Sequence, residues 1–260
     1  MKKHALLLSL VVLTFVVSSC GRNVKRMEAA DVHFNAAKTL YVKGEAIQSL
    51  TEAMKAEEAD PKNEEVQNFL GLLYDERGDS EKAQTHFERA IKNKADYSEA
   101  RNNLCVFLLK QEKLDEALTH CQKAVENVTY ATPERAYSNM AMIYEKKGDA
   151  TKAAEMHKKA LIHNKKFVFS LLYLGKTSYE KKDYPKAKEY LSSADEACSA
   201  SPKGSWGATC AEAQYRLALT LLQLKETPYA VAAFERCLIS DTTKNNDFKN
   251  KCEKSLQMYK

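Results

Sequence analysis

Small side chains recur along this chain in two matched series, and their spacing limits what it can fold into. Ser49, Ala83, Ala117, Ala153, Ala187 and Ala230 form the first series. Ala56, Ala90, Ala124, Ala160, Ala194 and Cys237 form the second, each seven residues further on. Seven residues are two turns of an α-helix, so each couple shares one face. A face built only from Ser, Ala and Cys lets a second helix backbone come close. Successive couples lie 34 residues apart, except for steps of 36 between Ala117 and Ala153 and 43 between Ala187 and Ala230. The register is therefore constant apart from insertions of two and nine residues. A period of this length means one supersecondary unit repeated, each copy burying its apolar face against the next.

The clearest copy is "NFLGLLYDERGDSEKAQTHFERAI" (68–91), with Leu70, Gly71, Tyr74, Gly78, Ala83, Phe87 and Ala90 in the register. It resembles the tetratricopeptide repeat, a pair of antiparallel helices A and B with small residues where they touch. The expectation is an all-α fold, an α-solenoid of six such repeats at 30–63, 64–97, 98–131, 134–167, 168–201 and 211–244, with a capping helix over 245–260. Pro61 ends the first repeat, while Lys182 and Lys225 stand where the fifth and sixth would carry a turn glycine. A helices should line a concave face and B helices a convex one. That architecture implies peptide or protein binding and nothing narrower.

The first residues read differently. Lys2 and Lys3 precede an apolar run, Ala5–Val17, too short to span a bilayer, and "VSSC" follows at 17–20. This is an export signal. Ser18 and Ser19 before Cys20 resemble the bacterial lipobox, which implies a signal peptide over 1–19, lipidation of Cys20 and a tether over 20–29. Gly21 in place of Asp favours the outer membrane, with the protein anchored on its periplasmic face. Several acyl chains anchor stably where one does not. Loss of Lys2 and Lys3 takes the formal charge from +5 to +3, and Lys alternates with Glu, so no basic patch points to nucleic acid.

A second resemblance rests on residues 99–161. Asn102, Asn103, Tyr130, Thr132, Pro133 and Asn139 follow the pattern of the type IV pilus pilotins, the PilF/PilW-type lipoproteins and their relative Tgl. There a paired Asn leads to a "Y-x-T-P" connection and then to an Asn-bearing helix. Cys105 and Ala141 depart from that pattern by replacing the helix-A glycine, as does Val128 where proline is usual. Read without the resemblance, Thr132 and Pro133 are a tolerated insertion, with Pro133 opening the next helix. The resemblance implies a non-enzymatic partner of the type IV pilus secretin that promotes its insertion and multimerisation. The alternative is a general outer-membrane scaffold in envelope assembly or secretion.

The repeat register places Phe69, Leu72, Asn103, Val106, Leu109, Asn139, Met142 and Tyr173 on the A-helix face, and we expect the partner groove there. Leu72, Val106, Leu109 and Met142 form an apolar strip, the kind of surface that marks a partner site. Asn103 and Asn139 supply amides suited to a peptide backbone. His86, His120 and His157 read as surface histidines without metal-ligand spacing. No nucleophile–base constellation or phosphate loop stands out, so neither catalysis, a cofactor, a metal nor a small-molecule substrate is expected.

Six cysteines follow Cys20, an even number in an exported chain. Cys198 and Cys210 bracket the nine-residue insertion, a loop containing "SPKGSWG", and are expected to pair. Cys237 and Cys252 are expected to join the last repeat to the capping helix. Cys105 and Cys121 face each other within the third repeat, either as a bridge or as two small buried thiols.

Overall fold

A computed structural model describes residues 25–201, 207–240 and 247–259, which form thirteen helices and no strand. Cys20 lies outside the described residues. The chain divides into two compact units, Met1–Asn127 and Val128–Lys260. The first holds α1 (25–42), α2 (Ala46–Ala59), α3 (Glu64–Glu76), α4 (Ser80–Asn93), α5 (Ser98–Lys110) and α6 (Leu114–Glu126). The second holds α7 (Pro133–Lys146), α8 (Ala150–His163), α9 (Val168–Glu180), α10 (Tyr184–Ala200), α11 (Gly207–Gln223), α12 (Thr227–Ser240) and α13 (Asp247–Tyr259). Helices pair as α3 with α4, α5 with α6, α7 with α8, α9 with α10 and α11 with α12, and α13 lies on α12 and α11.

All twelve residues of the two small-residue series are 0 % exposed. A third couple sits between them in the register, and it is in contact at Gly71 and Phe87, Gly175 and Leu191, and Cys105 and Cys121. It reads Ala37 with Ala53, Gly71 with Phe87, Cys105 with Cys121, Ala141 with His157, Gly175 with Leu191 and Ala218 with Phe234. Where helix A offers only glycine, helix B supplies a bulky side chain. A Cβ on Gly71 would stand 2.6 Å from the Phe87 ring, and one on Gly175 would stand 2.5 Å from Leu191 Cγ. In the third pair the same place is filled by a disulfide, Cys105–Cys121, with Cα atoms 5.4 Å apart. The cysteine and alanine that depart from the helix-A glycine thus answer a change in the residue opposite.

Every turn from helix A to helix B contains one left-handed residue. Three are Gly44, Gly78 and Gly148 at φ 80°, 79° and 77°; three are Glu112, Lys182 and Lys225 at 59°, 62° and 62°. The left-handed form costs a non-glycine residue roughly 1–2 kcal/mol. Capping offsets part of this at Lys182, where the Asp183 carboxylate accepts the backbone N–H three residues on and opens α10; Asp79 and Asp149 cap α4 and α8 in the same way after glycine turns. Pro133 begins α7, where its missing N–H and fixed φ suit a first helical turn.

Several boundaries differ from the sequence reading. α1 begins at residue 25 inside the expected tether, because Lys25–Ala30 are good helix formers in register with the repeat. α10 and α11 run 17 residues each, so Cys198 and Cys210 lie on helices and not in a loop; their Cα atoms are 5.8 Å apart in a bridge. Residues 202–206 of that insertion lie outside the described residues. A third bridge, Cys237–Cys252 with a Cα separation of 6.4 Å, ties α12 to α13. Leu256 of α13 joins Leu217, Leu221 and Phe234 in one buried cluster. Beside it, Asp195 is 8 % exposed and is held by both the Arg236 guanidinium, at 2.6 Å, and the Gln214 amide, at 2.9 Å.

The histidines are not surface residues, contrary to the sequence reading. His86 is 7 % exposed, its Nδ1 lies 2.8 Å from Gln67 Oε1, and its ring stacks on Tyr74. His157 is 3 % exposed because it occupies the bulky position opposite Ala141; Nδ1 meets Ser170 Oγ at 3.0 Å. His120 is half-buried. Burial lowers the pKa of His86 and of His120 below the ordinary 6.5.

Gly71→Ala should lower stability by about 1–3 kcal/mol, since the Phe87 ring cannot retreat within a filled core. Gly78→Ala, which meets no atom, should cost about 1–2 kcal/mol from its backbone angle alone, and Lys182→Gly should raise stability by up to about 1 kcal/mol. Urea midpoints of the three variants check the order. The histidines set an acid limb. With lowered folded-state pKa values, His86 and His120 bind fewer protons in the fold than unfolded, so their contribution is fully present above pH 6.5 and is lost as pH falls through the folded values. His86→Gln should flatten the decline in thermal midpoint measured between pH 7 and pH 5.

Candidate partner-binding surfaces

The first unit supplies five of the residues assigned to the groove. Phe69 on α3 is half-buried, with its ring edge-on to Phe34 (centroids 5.6 Å apart) and to Tyr41 (5.6 Å), both on α1. The Tyr41 hydroxyl donates to Glu76 Oε1, and that hydrogen bond pushes its pKa up to about 12. Phe69 is thus the centre of an aromatic cluster. Leu72 and Val106 are half-buried on the same side, between an Asn103 Nδ2 to Asn68 Oδ1 hydrogen bond of 3.0 Å and a Lys110–Asp75 ion pair of 2.6 Å. Asn103 therefore already commits one amide hydrogen within the chain. Leu109 is 5 % exposed and belongs to the core, so it offers a partner little surface.

The second unit supplies the other three. Met142 on α7 is 47 % exposed, a large apolar side chain in water. Tyr173 on α9 is half-buried and stacks on His157 at 4.2 Å between centroids; its burial raises the phenol pKa. Asn139 is half-buried beside Met142 on α7, and its side chain is engaged within the protein. Among the described residues no group of three or more His, Cys, Asp or Glu is placed to hold a metal ion.

A surface that the sequence reading missed lies on the first helix pair. Val32 is 67 % exposed, whereas Val66 and Ala100, its counterparts in the second and third repeats, are both 0 % exposed. Ala36 and Leu40 continue the stripe, with the fully buried Leu70 and the buried Tyr74 as their counterparts one repeat on. These are the positions that a repeat turns toward the repeat before it. Among the described residues α1 comes first, so the face stands in water. A shallow cleft between α1 and α2 deepens it, walled by Ala36, Leu40 and Ile47, with Thr51 and Glu52 at its edge. Ile47 is 75 % exposed. A signal was present in the sequence: the inter-repeat stripe recurs at Val32, Ala36 and Leu40 in the first copy of the register among the described residues.

Comparison with known proteins agrees with this architecture. Three tetratricopeptide-repeat family models match residues 64–97, 96–161 and 212–240. Among curated proteins, the type IV pilus assembly protein PilF of Pseudomonas aeruginosa is 21 % identical over 165 residues, 64 % of this chain and 66 % of that protein. The STIP1 homolog of Dictyostelium discoideum is 31 % identical over 114 residues, 42 % of this chain and 20 % of that protein. The chain thus spans just under two thirds of the first relative and a fifth of the second. The solved structure of P. aeruginosa PilF aligns with a TM-score of 0.73 at 17 % identity, covering 91 % of this chain and 100 % of PilF. PilW, a type IV pilus biogenesis factor, aligns at 0.64 and 21 % identity, covering 80 % and 91 %. The repeats are a non-enzymatic scaffold, and three disulfides belong to a compartment outside the reducing cytosol. The chain carries tetratricopeptide repeats over 64–161 and 212–240 and has the fold of the type IV pilus biogenesis factors PilF and PilW.

Proposed function

We propose that this protein is an outer-membrane lipoprotein of type IV pilus biogenesis, anchored through Cys20, that binds the pilus secretin and promotes its insertion and multimerisation. The observation that carries the reading is the likeness to PilF along that protein's whole solved length. The lipobox resemblance at Cys20 and the three bridges support an exported, anchored protein. A scaffold of this kind acts by holding a partner segment and performs no bond chemistry of its own.

The leading face of α1 and α2 makes the main apolar contact with the secretin, because Val32 and Ile47 are more exposed than the side chains of the A-helix strip. In the first unit Phe69, Leu72 and Val106 make a second, weaker strip, with the Asn103 amide beside it; Met142, with Asn139 and Tyr173 on the second unit, is a separate candidate contact. The periplasmic face of the outer membrane places these surfaces within reach of a secretin subunit awaiting insertion. A general envelope scaffold is the other reading, since the chain also matches a protein whose name carries no pilus role, the STIP1 homolog. A deletion strain separates the two: loss of secretin multimers and pili supports the first, and normal pili the second.

Val32→Glu with Ile47→Glu should abolish secretin multimers on a non-reducing gel while circular dichroism stays helical, as both side chains are already in solvent. Leu72→Glu with Val106→Glu, in the strip of the first unit, should reduce multimers less. Multimers that survive the first pair and vanish with the second would move the main contact to the strip. Cys20→Ala should leave the repeats folded but release the protein from the outer-membrane pellet in a secretin-deficient strain; continued sedimentation there would refute the anchor.

A further inference from the structure

The three bridges join the six cysteines strictly in chain order: Cys105 with Cys121, Cys198 with Cys210 and Cys237 with Cys252. Six cysteines admit fifteen complete pairings, and this is the one that joins only neighbours. The partners are 16, 12 and 15 residues apart, and each bridge ties one helix to the next: α5 to α6, α10 to α11 and α12 to α13. As the chain emerges from its N-terminus, both thiols of a pair are present before the next one appears. Two finished bridges are inaccessible, since Cys105, Cys121, Cys237 and Cys252 are 0 % exposed, whereas Cys198 of the third is half-buried. A reagent acting on the packed fold could not reach those two, so their oxidation must come before packing or accompany it.

We propose that the chain is a substrate of a disulfide-donating thiol oxidase during export, and that it reaches its native bridges without a disulfide isomerase. In each round one cysteine thiolate attacks the oxidase disulfide, forming a mixed disulfide and freeing one oxidase thiolate. The second cysteine thiolate then attacks the chain's sulfur in that mixed disulfide and displaces the other oxidase sulfur. The two chain thiols lose two protons and two electrons, and the oxidase disulfide becomes a dithiol. Order-dependent pairing also requires that the seventh cysteine be withdrawn. A free Cys20 would come first and shift the neighbours to Cys20–Cys105, Cys121–Cys198 and Cys210–Cys237, stranding Cys252. The thioether at Cys20 withdraws it, a step that rests on the anchor reading above.

The test expresses the full chain with its own leader in cells lacking the envelope thiol oxidase, lacking the isomerase, or lacking neither. Free thiols are alkylated and bridges mapped by mass spectrometry without reduction. The expected result is an identical three-bridge map with or without isomerase, and alkylated cysteines when the oxidase is missing. A Cys121–Cys198 or Cys210–Cys237 bridge in isomerase-deficient cells overturns the proposal, as does a complete native set without the oxidase. The Cys20 peptide separates the two readings. A lipidated Cys20 beside a non-native bridge overturns the pairing order alone, Cys20 joined to Cys105 overturns the anchor, and a free, unlipidated Cys20 beside three native bridges overturns both.

Discussion

The close approach of helix A to helix B is the constraint on which the rest of the structure depends. Nowhere else is the register so strict: the two flanking small-residue series are wholly buried in every pair, and between them the paired positions trade volume. Glycine faces phenylalanine or leucine, alanine faces histidine, phenylalanine or alanine, and cysteine faces cysteine. Interiors pack near crystal density, so a glycine on helix A leaves room for a bulky side chain on helix B, as at Gly71 and Gly175, although Ala141 and Ala218 stand opposite bulky residues too. Turn geometry, capping aspartates and the positions left for a partner all follow from the spacing this contact sets.

Repetition made the helix pairs legible. Ser49 and Ala56, or Ala230 and Cys237, identify a contact face without any knowledge of what lies opposite, because a period seen six times averages out local ambiguity. What repetition conceals is the difference between copies. His157 looked like a surface histidine because it was compared with His86 and His120, which lie one step earlier in the register; all three are more enclosed than a charged-face position would be. Val32 looked like any other A-helix residue, although its environment depends on whether a preceding copy exists. Leu109 was placed on the groove by register alone, yet its packing within the repeat draws it into the core. Glu112 escaped notice as a left-handed turn residue because a glutamate carries no propensity for that angle; only the hydrogen-bonded turn imposes it.

The two apolar surfaces differ in origin. The strip around Phe69 and Val106 is partly built into the fold: its aromatic rings lean on one another, Asn103 bonds Asn68 and Lys110 pairs with Asp75. Such a surface is already organised, and a partner meeting it loses little to ordering. The leading face of α1 and α2 is instead exposed among the described residues, at positions that are buried in the next two repeats. Val66 and Ala100 record what covers that position elsewhere in the same unit, so the face is complementary to a helix pair before any partner is specified.

The volume exchange between Gly71 and Phe87, and between Cys105 and Cys121, has a consequence for modularity. Repeats of equal length suggest interchangeable parts, yet single helices are not. Joining α3 to α6 would set Gly71 against Cys121 and leave a void the size of a phenyl ring. Joining α5 to α4 would drive Phe87 into Cys105 and strand a thiol. The hairpin, with its matched pair inside, is the smallest piece that can be moved, duplicated or recombined intact. Recombination within this array therefore respects the boundaries between hairpins and is excluded at the turns within them.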